Sequence, residues 1–296
     1  MGQKRKKLLL LLNPFSGQKK ANRYIVNIVS IFTEAGYDCM FHVTQYTGDA
    51  NEYVSENASE YDLIVCIGGD GTLNEVIGGL MASENDVPIG YIPSGSTNDF
   101  ANSLSLSKNV MQAARDILNG SPKYYDIGRF NGKYFSYIAS FGAFTKTSYD
   151  TPQTLKNSLG HLAYVMESIK EFPLKPVHAK VTVNGDVYED NYIFAAISNS
   201  TTVAGILTLD SERVDMSDGL LEVMLIKNPE TTTEFSQILW ALTTQQYDCE
   251  PIKLISSESV IIEIQPDINW TLDGEFAEGN ERIEINNIHH AIRIMR

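Results

Sequence analysis

The sequence predicts an open α/β domain followed by a mainly antiparallel β domain, and three observations carry that expectation. Short continuous apolar runs in the first third have the character of parallel strands buried on both faces. Each run ends in a polar, glycine-bearing turn that leads into a helix-period segment, the alternation of an α/β unit. After about Tyr125 the pattern becomes alternating strand-like runs joined by Asn-Gly and Asp-Gly, the strongest short hairpin signals.

The strands of the first domain are residues 8–12, 63–67 and 88–92, with 41–44 a weaker candidate. A helix is expected over 19–35, where Ala21, Tyr24, Ile25, Ile28 and Phe32 fall on one face and Gly36 ends the run. Further helices are expected over 50–58, 73–81, 98–103 and 110–118. In the second domain, 177–183 and 186–198 form a hairpin around Asn184-Gly185, and 219–226, 259–265 and 268–272 add strands. Only 155–172 and 233–243 read as helices there. The domains are set at 1–125, with 285–296 a candidate strand to complete it, and 126–284. No internal repeat or low-complexity segment is present.

A net charge of −14 argues against nucleic-acid binding, which needs a surplus of Lys and Arg. The one dense basic run, Lys4-Arg5-Lys6-Lys7, precedes five leucines and then Asn13-Pro14. That apolar run is too short for a signal peptide and lacks a cleavage site, and no other run approaches the ~20 residues that span a bilayer. Cys39, Cys66 and Cys249 are scattered, so neither a disulfide framework nor a zinc site is indicated. A soluble, cytoplasmic protein is expected.

Four stretches carry candidate chemistry: Asn13-Pro14-Phe15-Ser16-Gly17, Gly68-Gly69-Asp70-Gly71-Thr72, Pro93 to Phe100, and Leu272-Asp273-Gly274-Glu275. Singly, each has a plain structural account: a turn after a strand, a hairpin at Asp-Gly, a helix-start acid at Asp99. Together, three of them end neighbouring parallel strands and line one crevice with backbone N–H groups and hydroxyls. The spacing is neither a Walker A loop nor a dinucleotide fingerprint, since Asn74 stands where a third glycine would be. A phosphate suits that crevice. A carboxylate at Asp70 beside it repels the phosphate unless a cation lies between.

GGDGT followed by LNEV, with NPxSG upstream and PxGxxNDF downstream, resembles the diacylglycerol kinase catalytic family, and in particular its small soluble bacterial lipid kinases. The likeness runs from Asn13 to Glu275 and takes in the C-terminal strand. GGDGT alone is shared with NAD kinases, which leaves an NAD kinase-like phosphotransferase as one alternative and a non-catalytic nucleotide- or lipid-binding regulator as another. The NPxSG, NDF and C-terminal DGE elements favour the lipid kinases.

The resemblance implies ATP and Mg²⁺ as cofactors and a lipid hydroxyl, most simply that of diacylglycerol, as acceptor. It implies an ATP crevice of Gly68, Gly69, Asp70, Gly71, Thr72, Asn74, Glu75, Ser94, Gly95, Thr97, Asn98 and Asp99, with Asn13, Ser16 and Gly17 over the phosphates. Asp273 resembles the general base, while Asp70, Asp126 and Glu275 resemble the acidic network around the catalytic Mg²⁺. A second, structural Mg²⁺ is implied at Asp215, Asp218 and the carbonyl of Leu220, an oxygen-only set. A peripheral, transient visit to the membrane and a homodimer are also implied. Gln18 stands where many relatives have a basic residue, with Lys19 a substitute, and 205–207 is poorer in glycine than in relatives. His161 and the pair His289-His290 show no metal-ligand spacing with a carboxylate and are read as structural.

Overall fold

The computed structural model describes residues 5–17, 21–142, 175–203, 207–209 and 214–296. The helix expected over 155–172, His161, Gln18, Lys19 and the 205–206 segment lie outside these. The chain divides into two compact units, Met1–Ile127 with His289–Arg296, and Gly128–Ile288.

The first unit contains β1 (Lys6–Leu12), α1 (Ile25–Glu34), β2 (Tyr37–Val43), α2 (Asp49–Asn57), β3 (Leu63–Gly68), α3 (Asp70–Ser83), β4 (Ile89–Pro93), α4 (Asp99–Ser103) and α5 (Val110–Asn119). Its strands are parallel in the order β4-β3-β1-β2, and Ile294 pairs with Ile89 beyond β4. The five leucines of β1 are buried, as a central strand covered on both faces demands. Leu8, Leu10 and Leu12 meet Ile28, Phe32, Val110 and Ile117 from α1 and α5. The strand expected at 41–44 is longer, because β2 is an edge strand whose residues alternate between partial cover and exposure and so lack a continuous apolar run. The helix expected over 19–35 begins as a 3₁₀ turn at Ala21–Tyr24 and becomes α-helical only at Ile25.

The second unit contains the end of β5 (Pro122–Phe130), then β6 (Lys133–Phe135), β7 (Ile138–Gly142), β8 (Val177–Val183), β9 (Asp186–Ser198), β10 (Thr202–Val203), β11 (Leu207–Thr208), β12 (Leu221–Lys227), α6 (Thr232–Thr244), β13 (Ile252–Ser257), β14 (Ser259–Ile264), β15 (Trp270–Leu272), β16 (Glu275–Ala277) and the start of β17 (Arg282–Met295). Its pairings are antiparallel and are organised on β9, which meets β8 along its first half, β7 along its second, and β12 on the other side. Phe135, Phe141, Ile197, Val223, Ile262 and Trp270 form its core. The fold is thus an α/β unit and an antiparallel β unit, as the sequence predicts.

Candidate functional site

Strand register assembles the first site. Leu12 lies beside Ile67, Ile67 beside Ile92, and Gly68 beside Pro93, so the three following turns emerge shoulder to shoulder. Asn13 N–H donates to the Ile67 carbonyl (3.1 Å) and Ser94 N–H to that of Gly68 (2.8 Å). Asn13 Nδ2 donates to Thr72 Oγ1 at 3.0 Å, and the Ser16 and Ser94 hydroxyls share a hydrogen bond of 2.9 Å. Asn13, Ser16, Gly68, Thr72 and Ser94 are therefore one cluster at the carboxyl ends of β1, β3 and β4, where ligands of open α/β sheets bind.

The glycines are there for close approach. A Cβ on Gly95 would sit 2.7 Å from the Gly69 Cα, and one on Gly17 would sit 2.1 Å from the Ser94 carbonyl oxygen. At Gly71 a Cβ would meet no protein atom within 4 Å. That position is open space at the start of α3, where free backbone N–H groups can meet an anion.

Asp70 is buried, and its carboxylate accepts from Asp99 N (3.0 Å), Phe100 N (3.3 Å) and Thr97 Oγ1 (3.4 Å). It thereby caps α4 and ties the β3 turn to the β4 turn, a role that neither turn shows by itself. Burial pushes the Asp70 carboxyl up, opposed by these donors. Asp99 is raised by burial and then by the charge of Asp70. Two carboxyls whose charged forms burial opposes, with the Thr97 hydroxyl beside Asp70, are an oxygen-only set suited to Mg²⁺. Asn98 holds the loop: its Oδ1 accepts from Gly95 N at 2.8 Å and its Nδ2 donates to the Gly95 carbonyl at 3.0 Å. Glu75 is engaged elsewhere, since its carboxylate accepts from Gly48 N (2.8 Å) and Ala50 N (3.2 Å) at the start of α2.

Asp126, also in the first unit, is fully buried, and its Oδ1 accepts from His289 Nδ1 at 3.0 Å and from His290 N at 2.7 Å. The histidines show no metal-ligand spacing with a carboxylate in sequence, yet the fold gives them one. The partner lies 163 residues upstream of His289, where no local spacing rule can see it.

In the second unit Asp273 is the first residue of a two-residue turn between β15 and β16, with φ 49° followed by 80° at Gly274. Its side chain is turned inward and buried. Oδ2 accepts from Ser136 N (2.5 Å) and Ser136 Oγ (2.7 Å), and Oδ1 from Tyr137 N (2.9 Å) and Ile138 N (3.0 Å). Burial pushes the carboxyl up to about 6, against the pull of those four donors. Ser136 is thus a residue the sequence reading missed; only the fold brings it to Asp273. Glu275 opens β16 and is exposed.

At the other candidate cation loop, Asp215 Oδ1 accepts from Ser217 N and Oγ, and Asp218 Oδ1 from Leu220 N. The Leu220 carbonyl accepts from Asn287 Nδ2 at 2.9 Å. Buried Glu222 follows on β12, its carboxyl pushed up to about 8 by burial and then by the Asp218 charge. Its place in an apolar strand was the one available signal.

The diacylglycerol kinase catalytic domain family matches residues 7–130. A diacylglycerol kinase of Bacillus subtilis is 31% identical over 274 residues, covering 92% of this chain and 90% of that protein. One of Staphylococcus epidermidis is 29% identical over 276 residues, covering 92% and 86%. The crystal structure of a diacylglycerol kinase from Bacillus anthracis superposes with a TM-score of 0.81 at 26% identity, over 100% of this chain and 98% of that one. Fold and sequence together define a lipid kinase. The chain belongs to the diacylglycerol kinase family.

Proposed function

We propose that this lipid kinase transfers the γ-phosphoryl group of ATP to the free hydroxyl of diacylglycerol, giving phosphatidate, with Mg²⁺ as cofactor. The observation that supports it most is the convergence of three turns on the Asp70–Asp99 pair at the strand ends of the first unit. In this reading the N–H groups of Gly69 and Gly71, the hydroxyls of Ser16, Thr72 and Ser94 and the side-chain amide of Asn13 hold the phosphates, with Gly17, Gly95, Thr97 and Asn98 shaping the turn. Asp70 and Asp126 would hold the Mg²⁺, which when bound neutralises charge on the transferring phosphoryl group. Asp273 accepts the proton of the attacking hydroxyl, and a carboxyl near pH 6 suits that task. Asp215, Asp218 and Leu220 are read as holding a structural cation.

The enzyme visits its membrane-borne acceptor peripherally in this reading. No helix among the described residues is long and apolar enough to cross a bilayer. The basic run offers less docking charge than its sequence suggests, because Arg5 pairs with Asp38 at 3.3 Å and Lys7 with Glu60 at 3.7 Å. A panel of lipid acceptors with labelled ATP and Mg²⁺ in mixed micelles tests the acceptor. Label in phosphatidate supports the reading; label in another lipid alone moves the acceptor, and label in none sinks the kinase activity. Gly71→Ala tests the phosphate seat. With no protein atom to strike, it should leave Tm within a degree or two, roughly, and weaken ATP binding about tenfold.

A further inference from the structure

We propose that Asp126, His289 and His290 form a site for a transition-metal cation of the zinc, cobalt or nickel kind. The three residues each offer one ligand atom, and these atoms lie within 4.8 Å of one another. A metal with bonds of ~2.0–2.1 Å at a near-tetrahedral angle holds its ligand atoms ~3.3–3.4 Å apart. His289 Nδ1 and Asp126 Oδ1 stand at 3.0 Å, so an opening of a few tenths of an ångström admits the ion in place of the shared proton. Imidazole nitrogen with one carboxylate suits these cations and not Mg²⁺, so the site differs in kind from the oxygen-only positions above.

The backbone is arranged for it. Successive residues of a strand point to opposite faces, which would separate two adjacent histidines. Here His290 has φ 53°, a conformation that costs a non-glycine residue about 1 kcal/mol or more and that persists where surroundings enforce it. Its effect is to stack the two rings with centroids 3.7 Å apart. Tyr124 also stacks on His290, with ring centroids 5.1 Å apart. The carboxylate is buried and oriented by the His290 N–H, while the His289 side chain is 52% exposed and lies open to an ion from solvent. Coordination asks the rings to fan apart, which that exposure permits.

A consequence rests on the reading of Asp126 given above: an ion bound here withdraws Asp126 from the catalytic Mg²⁺ and inhibits the kinase. The site itself does not depend on that reading. Metal-stripped full-length chain titrated with Co²⁺ should show one equivalent bound, with the visible ligand-field band of a nitrogen- and oxygen-ligated ion. His289→Gln with His290→Gln should weaken Co²⁺ binding by about 100-fold, with thermal melting as the check of folding, and each single change should give a smaller loss. Equal affinity and an unchanged spectrum in the doubly substituted protein would overturn the site. In the activity arm, Zn²⁺ at fixed Mg²⁺ should inhibit the unsubstituted enzyme and spare the double variant. Inhibition of both alike would detach the site from Asp126's catalytic role. Absence of transfer to any lipid without Zn²⁺ would sink the kinase reading and leave the Co²⁺ result standing.

Discussion

Two turns of the second unit share one backbone and have opposite fates. Asn184-Gly185 joins β8 to β9 with φ of 52° and 86°; Asp273-Gly274 joins β15 to β16 with 49° and 80°. Both are the paired left-handed geometry that an Asx-Gly dipeptide favours. Asn184 is exposed; its amide donates to the Ser256 carbonyl and accepts from the Ser257 hydroxyl. Asp273 is buried under four donors from Ser136, Tyr137 and Ile138. The dipeptide decides the turn, and the neighbours decide the chemistry.

The largest expected effect breaks that contrast at the buried turn. Asp273→Asn puts an NH₂ where two of the four donors point, so the swap is isosteric but mismatched. It should cost about 2–4 kcal/mol of stability, read by denaturant melts, and lower turnover by about 10²-fold or more when assayed well below Tm. A variant that keeps more than about a third of the rate would remove Asp273 from the base role. Next in size is the pH response. With its carboxyl raised to about 6, Asp273 is ionised above that pH, as the proposed base must be, and protonated below it. The rate should therefore fall about tenfold per pH unit below about 6 and stay level just above it. An acid limb near the ordinary carboxylate range would show that the donors outweigh burial.

Smaller effects sharpen the comparison. Gly185→Ala and Gly274→Ala place the same strain at φ of 86° and 80° and should each cost about 1 kcal/mol. A gap of more than about 1 kcal/mol between them would mean that the packed surroundings, and not φ, set the cost at the buried turn. Smallest is Asn184→Asp, which should change stability by about 0.5 kcal/mol or less, since water replaces the lost amide donor.

Legibility follows the same division. Strands β1, β3 and β4 were readable because burial on both faces leaves continuous apolar runs, and the glycine turns after them were readable for their composition. β13 was not, because its residues follow no clean alternation of burial and exposure, and β5 opens on a proline, which reads as a breaker. At the sites, residue types were legible and partners were not. The sequence offers Asp70 as a ligand but hides that it caps α4, marks Glu75 beside the glycines but hides that it caps α2, and gives no reason to join Ser136 to Asp273 or His289 to Asp126. Those links span from 25 to 163 residues, and only the completed sheets create them.

The split of the first unit between Met1–Ile127 and His289–Arg296 has a consequence for how the chain is made. The residues that pair with β4 and bond Ser121 to Arg296 in both directions are synthesised after the entire second unit. At ~5–20 residues per second, those intervening residues occupy the ribosome for about 10–30 s. For that interval the flank of β4 stands as an unpaired edge, the kind of surface on which other chains add strands. The first unit thus begins first and finishes last, and slowing translation of residues 128–288 lengthens the period in which it is vulnerable to aggregation.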